Sequence, residues 1–491
     1  MSASTTKDIV AKLWNLCNVL RDDGVSYQEY VTELTYLLFL KMAEETSSEN
    51  QLPQGWRWND LNRRSGMEQF TFYREMLIHL GTESKGLVQA VYANANTSLQ
   101  QPRNLAKLVS DIDGLDWYSA QHEGLGDLYE GLLQKNATES KRGAGQYFTP
   151  RPLIDAIVSV LKPKPGEVIQ DPAVGTGGFL IAADRHIKAT TDDLFDLSVR
   201  DQEFQRKEAY WGMELVPSAH RLCLMNCLLH GIEGQISLGD TLSPSGLSLP
   251  QADLVLSNPP FGTKTGGGRP TRDDFTYATA NKQLAFVQHI YRSLKPGGRA
   301  GVVVPDGVLT EGGAGRLIRQ DLMNKCVLHT ILRLPTGIFY AGGVKTNVLF
   351  FTKSARDVNA TEDVWVYDLR TDMPVFGKRT PFTSDTLRDF VDVFGADPDG
   401  TATHHRAEQD NERWRNFSRK QIQELDDSLD LQWLHSSNQD LDGSEVDPES
   451  LLLTLAESLE EISEAVDALL DDFRAPEIER VELSSAEVSA P

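Results

Sequence analysis

Glu167-Val-Ile-Gln-Asp171-Pro-Ala-Val-Gly175-Thr-Gly177-Gly178-Phe-Leu-Ile-Ala-Ala183 is the stretch from which the fold of this 491-residue chain is read. It opens as a short apolar strand, passes through a loop with glycines at 175, 177 and 178, and continues as a helix. Glycine lets the backbone approach a ligand closely, and a helix N-terminus offers unpaired N–H groups, as in nucleotide-binding α/β folds. The loop lacks the third glycine spacing of the dinucleotide fingerprint, so it is weak on its own. A ribose partner is expected at the end of the next strand, and Glu214, closing Tyr210-Trp-Gly-Met-Glu214, fits. It lies farther along than the roughly 20 residues typical of that motif, and the polar stretch Thr190 to Glu208 accounts for the excess as an insertion. Asp240, after Gln235-Ile-Ser-Leu-Gly239, ends a third strand, where it can meet the edge of a cofactor's base.

A second motif lies about eighty residues on, where the apolar run Asp253-Leu-Val-Leu-Ser257 enters Asn258-Pro259-Pro260-Phe261. Two consecutive prolines fix φ near −65° and bias the residue before each away from helix, so the Asn258 side chain and the Pro259 carbonyl are held in one geometry. Both are hydrogen-bond acceptors. A planar exocyclic amine such as adenine N6 offers two N–H donors, and Phe261 offers a ring face on which a base stacks. Alone, the tetrapeptide is equally compatible with a Pro-Pro loop that caps a strand.

Strand patterns recur near 167–170, 210–214, 235–238, 253–257, 299–304, 327–332 and 346–352, with a helix pattern at Asn281 to Leu294. Seven strands with intervening helices predict an α/β fold with a doubly wound sheet. Pro305-Asp306-Gly307 and Leu334-Pro-Thr-Gly-Ile-Phe339 follow the fifth and sixth strands at the ligand-facing edge of such a sheet, where they either line a pocket or serve as loop punctuation. Residues 1–135 carry mostly helical patterns and form a helical N-terminal domain; 136–419 form the catalytic domain, entered through a flexible junction, Asn136 to Gly145; 420–491 form an acidic C-terminal region.

The order Gly145-Gln146-Tyr147-Phe148-Thr149-Pro150, Asp171-Pro-Ala-Val-Gly-Thr-Gly-Gly178, Glu214, Asn258-Pro-Pro-Phe261 resembles that of adenine-N6 DNA methyltransferases whose methionine-binding motif lies upstream. More narrowly, the chain resembles the modification (M) subunit of type I restriction-modification systems, over most of its length. The resemblance implies a seven-stranded doubly wound S-adenosylmethionine-dependent methyltransferase domain, with a helical N-terminal domain and a helical C-terminal tail. It assigns Gln146, Tyr147, Phe148, Thr149, Pro150 and Arg151 to the methionine end of the cofactor, Asp171, Thr176, Gly177 and Gly178 to the glycine-loop motif, Glu214 to the ribose hydroxyls and Asp240 to the adenine. Asn258, Pro259, Pro260 and Phe261 would hold a flipped-out adenine of double-stranded DNA. The implied partners are a specificity (S) subunit clasped by two M subunits and a restriction (R) subunit.

Three other readings share some features. A protein glutamine methyltransferase would use a similar Asn-Pro-Pro-aromatic loop, but its aromatic is usually tyrosine and its chain is shorter. A catalytically idle scaffold that binds the cofactor as a structural ligand sits poorly with an intact Asn258 and Phe261. A nicotinamide oxidoreductase has no use for a locked Pro-Pro loop.

The net charge is −23, yet residues 420–491 hold 20 Asp or Glu against three Lys or Arg, giving −17 and leaving −6 for the first 419 residues. The catalytic body is therefore not basic, and phosphate neutralisation must come from local patches or a partner. Candidate patches are Lys135, Lys141, Arg142 and Arg151, and Lys264, Arg269 and Arg272, with solvated loop charge the alternative for both. Four cysteines argue against a disulfide scaffold. No run of about 18 apolar residues appears and no signal-peptide segment opens the chain, so a cytoplasmic protein without a membrane anchor is expected. His220, Cys223, Cys227 and His230 share one helix face, but a rise of about 15 Å from first to last keeps one ion from reaching all four; core packing is expected, and no metal. His404-His405 reads as an exposed turn. In the tail, Leu452, Leu455, Leu459, Ile462, Val466, Leu469 and Phe473 follow a 3-4 heptad spacing across 451–473, an assembly helix whose acidic residues face away from the seam. Little chain remains after the seventh strand for a module that reads base pairs, so sequence choice is expected to lie in another subunit.

Overall fold

The computed structural model of the chain describes residues 6–26, 29–46, 49–117, 124–139, 149–261, 270–339, 344–377, 380–400 and 412–434. A single nine-stranded sheet organises the larger part. Its strands are β1 (Ile169–Asp171), β2 (Tyr210–Glu214), β3 (Gln235–Leu238), β4 (Ala252–Ser257), β5 (Leu294–Pro305), β6 (Cys326–Arg333), β7 (Thr346–Lys353), β8 (Asp363–Asp368) and β9 (Trp414–Ser418), in the order β3-β2-β1-β4-β5-β7-β6-β8-β9. The first five are mutually parallel. β7 runs antiparallel between β5 and β6, β8 pairs parallel with β6, and β9 pairs antiparallel with β8.

The apolar runs are continuous because both faces of the sheet are covered. Leu254 and Leu256 of β4 enter one hydrophobic core and Val255 the other; Phe350 and Phe351 of β7 divide in the same way, as do Trp365 and Val366 of β8. That two-faced burial is what a doubly wound sheet requires, and the α/β class expected from the sequence is the one observed. The strand count is not: seven were expected and nine form. β8 carries an apolar run, Val364-Trp-Val-Tyr367, that the sequence reading passed over, whereas β9 is an edge strand with Arg415 and Asn416 among its five residues and carries little strand signal. Tertiary packing secures them, with Trp365 stacked on Trp414 at 5.0 Å between ring centroids.

Among its described residues the N-terminal region is built of helices joined by loops, with no strand, from Thr6–Asn15 to Leu125–Glu139. The last helix runs through Asn136 to Glu139, the first residues of the segment expected to be a flexible junction, because no glycine or proline interrupts it before Gly143. Its core is separate from the two sheet cores, and two residues of the catalytic region, Leu224 and Met225, enter it. Both lie on the helix Pro217–Leu229. The same helix carries Arg221, buried at 8 % exposure, which donates from Nε to the Val91 carbonyl (2.5 Å) and from Nη2 to the Ala93 carbonyl (2.9 Å) and lies 5.0 Å from the Tyr36 ring. A guanidinium taken out of water is tolerable there because two carbonyls and an aromatic face replace its hydration. Among the described residues no helix is long and apolar enough to cross a membrane. The heptad segment 451–473 and the pair His404-His405 lie outside the described residues.

Arg221→Met keeps the aliphatic stem but orphans both carbonyls, at a cost of about 2–3 kcal/mol. The expected outcome is a lower thermal midpoint, with earlier proteolysis in the helical N-terminal region. An unchanged midpoint would show that the contact contributes nothing net.

Candidate active site

Strand order positions the site. β1 and β4 are neighbours from which the chain winds in opposite directions, β2 and β3 to one side and β5 to the other. Ligands of open α/β sheets bind outside the carboxyl ends of the strands at such a switch point. The glycine loop follows β1 and Asn258-Pro-Pro-Phe261 follows β4, so two motifs about eighty residues apart in sequence flank one crevice.

The two loops are joined at their bases. Ser257 Oγ, at the end of β4, donates to Asp171 Oδ1 at the end of β1 (2.8 Å), and the Ala173 N–H donates to the same oxygen (3.1 Å). Asp171 is 2 % exposed, and burial pushes its carboxyl up to about 7 against the two hydrogen bonds that favour the charged form. It stands behind the glycine loop and holds it to the neighbouring loop.

Beyond Asp171 the chain passes to Gly177, which sits at φ +85° as the residue before the helix Gly178–Thr190. A Cβ at 177 would lie 3.0 Å from Cys223 Sγ, so both backbone angle and space demand glycine. This contact explains the histidine and cysteine face of the helix Pro217–Leu229. Cys223 and Cys227, 4.0 Å apart through sulfur and both buried, pack under the loop; His220 Nε2 meets the Ile236 carbonyl (3.1 Å) and His230 Nδ1 the Asn226 carbonyl (2.8 Å). On that helix Asn226 also donates from Nδ2 to the Thr176 carbonyl (3.0 Å), a support for the glycine loop that no sequence motif announces.

Glu214, at the carboxyl end of β2, accepts the Gly175 N–H on Oε2 (2.9 Å) and the Val216 N–H on Oε1 (2.8 Å), which leaves each oxygen a further lone pair. Burial raises its pKa against these backbone bonds. Asp240 is half-buried after β3, and its Oδ1 accepts the Leu242 N–H (2.9 Å). Arg151 is brought to the glycine loop: with Thr176, Gly178, Asn226 and Glu130 it lines one cleft, where its guanidinium pairs with the Glu130 carboxylate from the helix Leu125–Glu139. Ligand atoms of Asp127, Glu130 and His230 lie within 4.8 Å of one another, but Arg151 already supplies the positive charge there. Gln146, Tyr147 and Phe148 lie outside the described residues, as do Lys141, Arg142, Lys264 and Arg269.

At the second loop, Asn258 Nδ2 donates to Thr149 Oγ1 (3.0 Å), while its Oδ1 is shielded and has no hydrogen-bond partner. Pro259 is buried and Pro260 exposed. The Phe261 ring meets Phe339 edge to face, centroids 6.0 Å apart and planes at 81°. Phe339 closes the Leu334–Phe339 segment, so that segment faces the same crevice. Gly337 at φ +81° lets the Phe376 carbonyl cross where a Cβ would stand, and Phe376 N–H donates to the Thr336 carbonyl (3.1 Å). Arg370, not singled out from sequence, gathers the neighbouring strand ends. It pairs bidentately with Asp306 (2.9 Å twice) and donates to the Leu334 and Thr346 carbonyls (3.1 and 2.9 Å). Arg272, a candidate phosphate contact, is committed instead: its side chain is 4 % exposed and bonded to Asp274 (2.8 and 2.7 Å) and to the Thr241 carbonyl (3.1 Å).

Comparison with known proteins follows the geometry. A family model described as N-6 DNA methylase matches residues 120–435, and one described as the HsdM N-terminal domain matches residues 9–112. The chain is similar to the methylase subunit of the type I restriction enzyme StySPI from Salmonella potsdam, 54% identical over 95% of this chain and 96% of that one. It is 53% identical to the methylase subunit of EcoKI from Escherichia coli (strain K12), over the same shares of the two chains. The crystal structure of the EcoKI M protein is 48% identical and matches over 98% of this chain and 100% of that one, with a TM-score of 0.56. A chain from a structure of a type I R-M system, described in terms of complex assembly and conformational transition, has a TM-score of 0.73 at 24% identity over 96% and 99% of the two chains, which speaks to the fold alone.

The raised pKa of Asp171 has a signed consequence. Between about 4, its unfolded value, and about 7, the folded protein binds the proton and the unfolded chain has lost it, so stability falls as pH rises through this window. Asp171→Asn removes that contribution, up to about 4 kcal/mol. Thermal midpoints between pH 5 and 7.5 should therefore decline less in the variant; parallel profiles would show that Asp171 does not titrate there. Glu33, raised to about 7 by burial, gives both proteins a shared residual slope.

Proposed function

The chain belongs to the N-6 DNA methylase family as a methylase subunit of the type I restriction-modification class, and we propose that its crevice transfers a methyl group from S-adenosylmethionine to a flipped-out adenine N6. The observation that carries this reading is the lone Oδ1 of Asn258, a shielded acceptor without a donor at the mouth of a proline-locked loop. An unpaired buried acceptor is costly, and a loop that keeps one is prepared for a donor that arrives with the substrate. Adenine N6 brings two N–H groups, which Asn258 Oδ1 and the Pro259 carbonyl accept. Holding both hydrogens in acceptor bonds draws the nitrogen toward sp³ geometry and frees its lone pair from the ring, which compensates for the absence of a strong base.

The cofactor fits the residues at the first loop. Glu214 retains lone pairs for ribose hydroxyls, and Thr176, Gly178 and the Glu130-paired Arg151 line one cleft beside it. Asp240 at the end of β3 is assigned to the adenine edge, and Gln146 to Pro150 to the methionine end. When bound, S-adenosylmethionine supplies an electrophilic methyl on a sulfonium. Asn258 Oδ1 and the Pro259 carbonyl would hold N6 in line with that methyl; as the N–C bond replaces the S–C bond, the cofactor would leave as the neutral thioether S-adenosylhomocysteine and the surplus N6 proton would pass to solvent. Phe261 offers a ring face to the flipped base and Phe339, edge-on to Phe261, forms the adjoining wall. Asp171 acts behind the loops rather than on the ligand.

The division of the chain follows the same proposal: a helical domain over 1–135, a catalytic domain over 136–419, and an acidic region over 420–491 whose heptad at 451–473 joins a specificity subunit. Two such chains clasp one specificity subunit, a restriction subunit adds cleavage, and the complex works on double-stranded DNA in the cytoplasm. Of the candidate phosphate contacts among the described residues, Arg151 and Arg272 are already paired, so Lys135, the two remaining loop patches and the partner are the proposed sources of that charge.

With the specificity subunit co-expressed, Asn258→Ala should retain cofactor binding and lose about 10²–10³-fold in methyl transfer, the scale of one oriented transition-state partner. Labelled methyl followed to adenine N6 measures it. Label appearing on protein instead of DNA, or full transfer by the variant, would overturn the assignment.

A further inference from the structure

Asn258 presents a problem that the proline pair does not solve. Prolines fix the backbone, but the terminal carboxamide torsion remains broad and roughly two-fold, so the amide can present either its oxygen or its NH2 to a base. Only the oxygen is useful to adenine N6, which is itself a donor. Presented the other way, the NH2 would set N–H against N–H.

Thr149 stands at the other end of this amide. Its Oγ1 accepts from Asn258 Nδ2 at 3.0 Å. Thr149 is 9 % exposed and lies one residue before Pro150, whose carbonyl receives the Leu153 and Ile154 N–H groups at the start of the helix Arg151–Leu161. Leu153 and Ile154 are buried in the sheet core, so the hydroxyl is carried on an anchored segment. A hydroxyl both donates and accepts, so Thr149 tolerates either amide orientation in the free protein. Once a base donates to Oδ1, only one pattern satisfies every group: N6–H to Oδ1, and Nδ2–H to the Thr149 oxygen.

We infer that Thr149 is a positioning residue for the methyl-transfer step, fixing the Asn258 carboxamide with its oxygen toward the target amine. This goes beyond its assignment to the cofactor's methionine end, and it rests on the proposed role of Asn258. The hydroxyl removes the penalty of an unpartnered Nδ2 in the reactive arrangement. Its loss is felt in the transfer step, with the base in place and the cofactor saturating.

The test uses the chain in complex with its co-expressed specificity subunit, measuring kcat at saturating DNA and S-adenosylmethionine alongside cofactor affinity by equilibrium binding. Thr149→Val, which exchanges hydroxyl for methyl, should lower kcat roughly 10- to 100-fold, the range of a lost buried hydrogen bond, a loss that saturating S-adenosylmethionine does not relieve. Thr149→Ser, which keeps the hydroxyl, should restore most of that loss. In an Asn258→Ala background the valine substitution should cost nothing further, because its effect passes through the missing amide; a general structural defect would still add. Weakened cofactor binding with normal kcat at saturation, a loss that serine does not relieve, or additive losses in the double variant would each overturn the inference. Undiminished transfer by Asn258→Ala alone would instead remove the reading of Asn258 on which it stands.

Discussion

The Ser257 to Asp171 hydrogen bond is the constraint on which the geometry of the crevice depends. It spans the single pair of adjacent strands from which the chain winds both ways, and it fixes the roots of two loops that must cooperate on one reaction. Burying a carboxyl there is expensive, as the upward shift of its pKa records. Two donors on one oxygen offset part of that cost, and what the bond yields is registry between the roots of the glycine loop and the proline loop, on the ångström scale that catalytic positioning needs.

Much of this was legible in sequence because it is local. A strand, a glycine loop and a helix follow one another without interruption from 167 to 183, and a Pro-Pro pair announces its own rigidity. The paired strands β1 to β7 were visible through their apolar runs. What escaped was set by contacts across the chain. β9 pairs with β8 and its Trp414 stacks on Trp365, a contact between residues 49 positions apart, while β8 is held in turn by β6. Arg370 carries no sequence signal, and its role is visible only where the ends of β5, β6 and β7 meet around it. Thr149 and Asn258 were each singled out, for different tasks, but the bond between them spans 109 positions and no spacing rule reports it. The cysteine and histidine face of Pro217–Leu229 was expected to be core packing, and what it packs against, the glycine loop at Gly177, needed the tertiary structure.

Charge tells a related story. Two arginines that the sequence offered for phosphate contact are internal fasteners, Arg151 to Glu130 and Arg272 to Asp274, and Arg299 to Glu167 and Arg333 to Asp368 are fasteners of the same kind. Each fork-shaped guanidinium meets a carboxylate in a partly or wholly desolvated setting, where breaking one partner leaves the other uncompensated. The acidic surplus of the chain is consistent with this use, since its cations serve cohesion more than external binding.

The helix Pro217–Leu229 belongs to two neighbourhoods at once. Leu224, Met225 and Arg221 face the N-terminal helices, while Cys223, Cys227 and Asn226 floor the glycine loop. A part shared in this way cannot diverge to suit one side without being checked by the other. Chimeras that exchange the helical region between relatives at the conspicuous boundary near residue 136 therefore cut through a matched surface; a viable exchange would carry the outward face of 217–229 along with it, and over evolutionary time the two stretches should change in step despite lying about eighty residues apart.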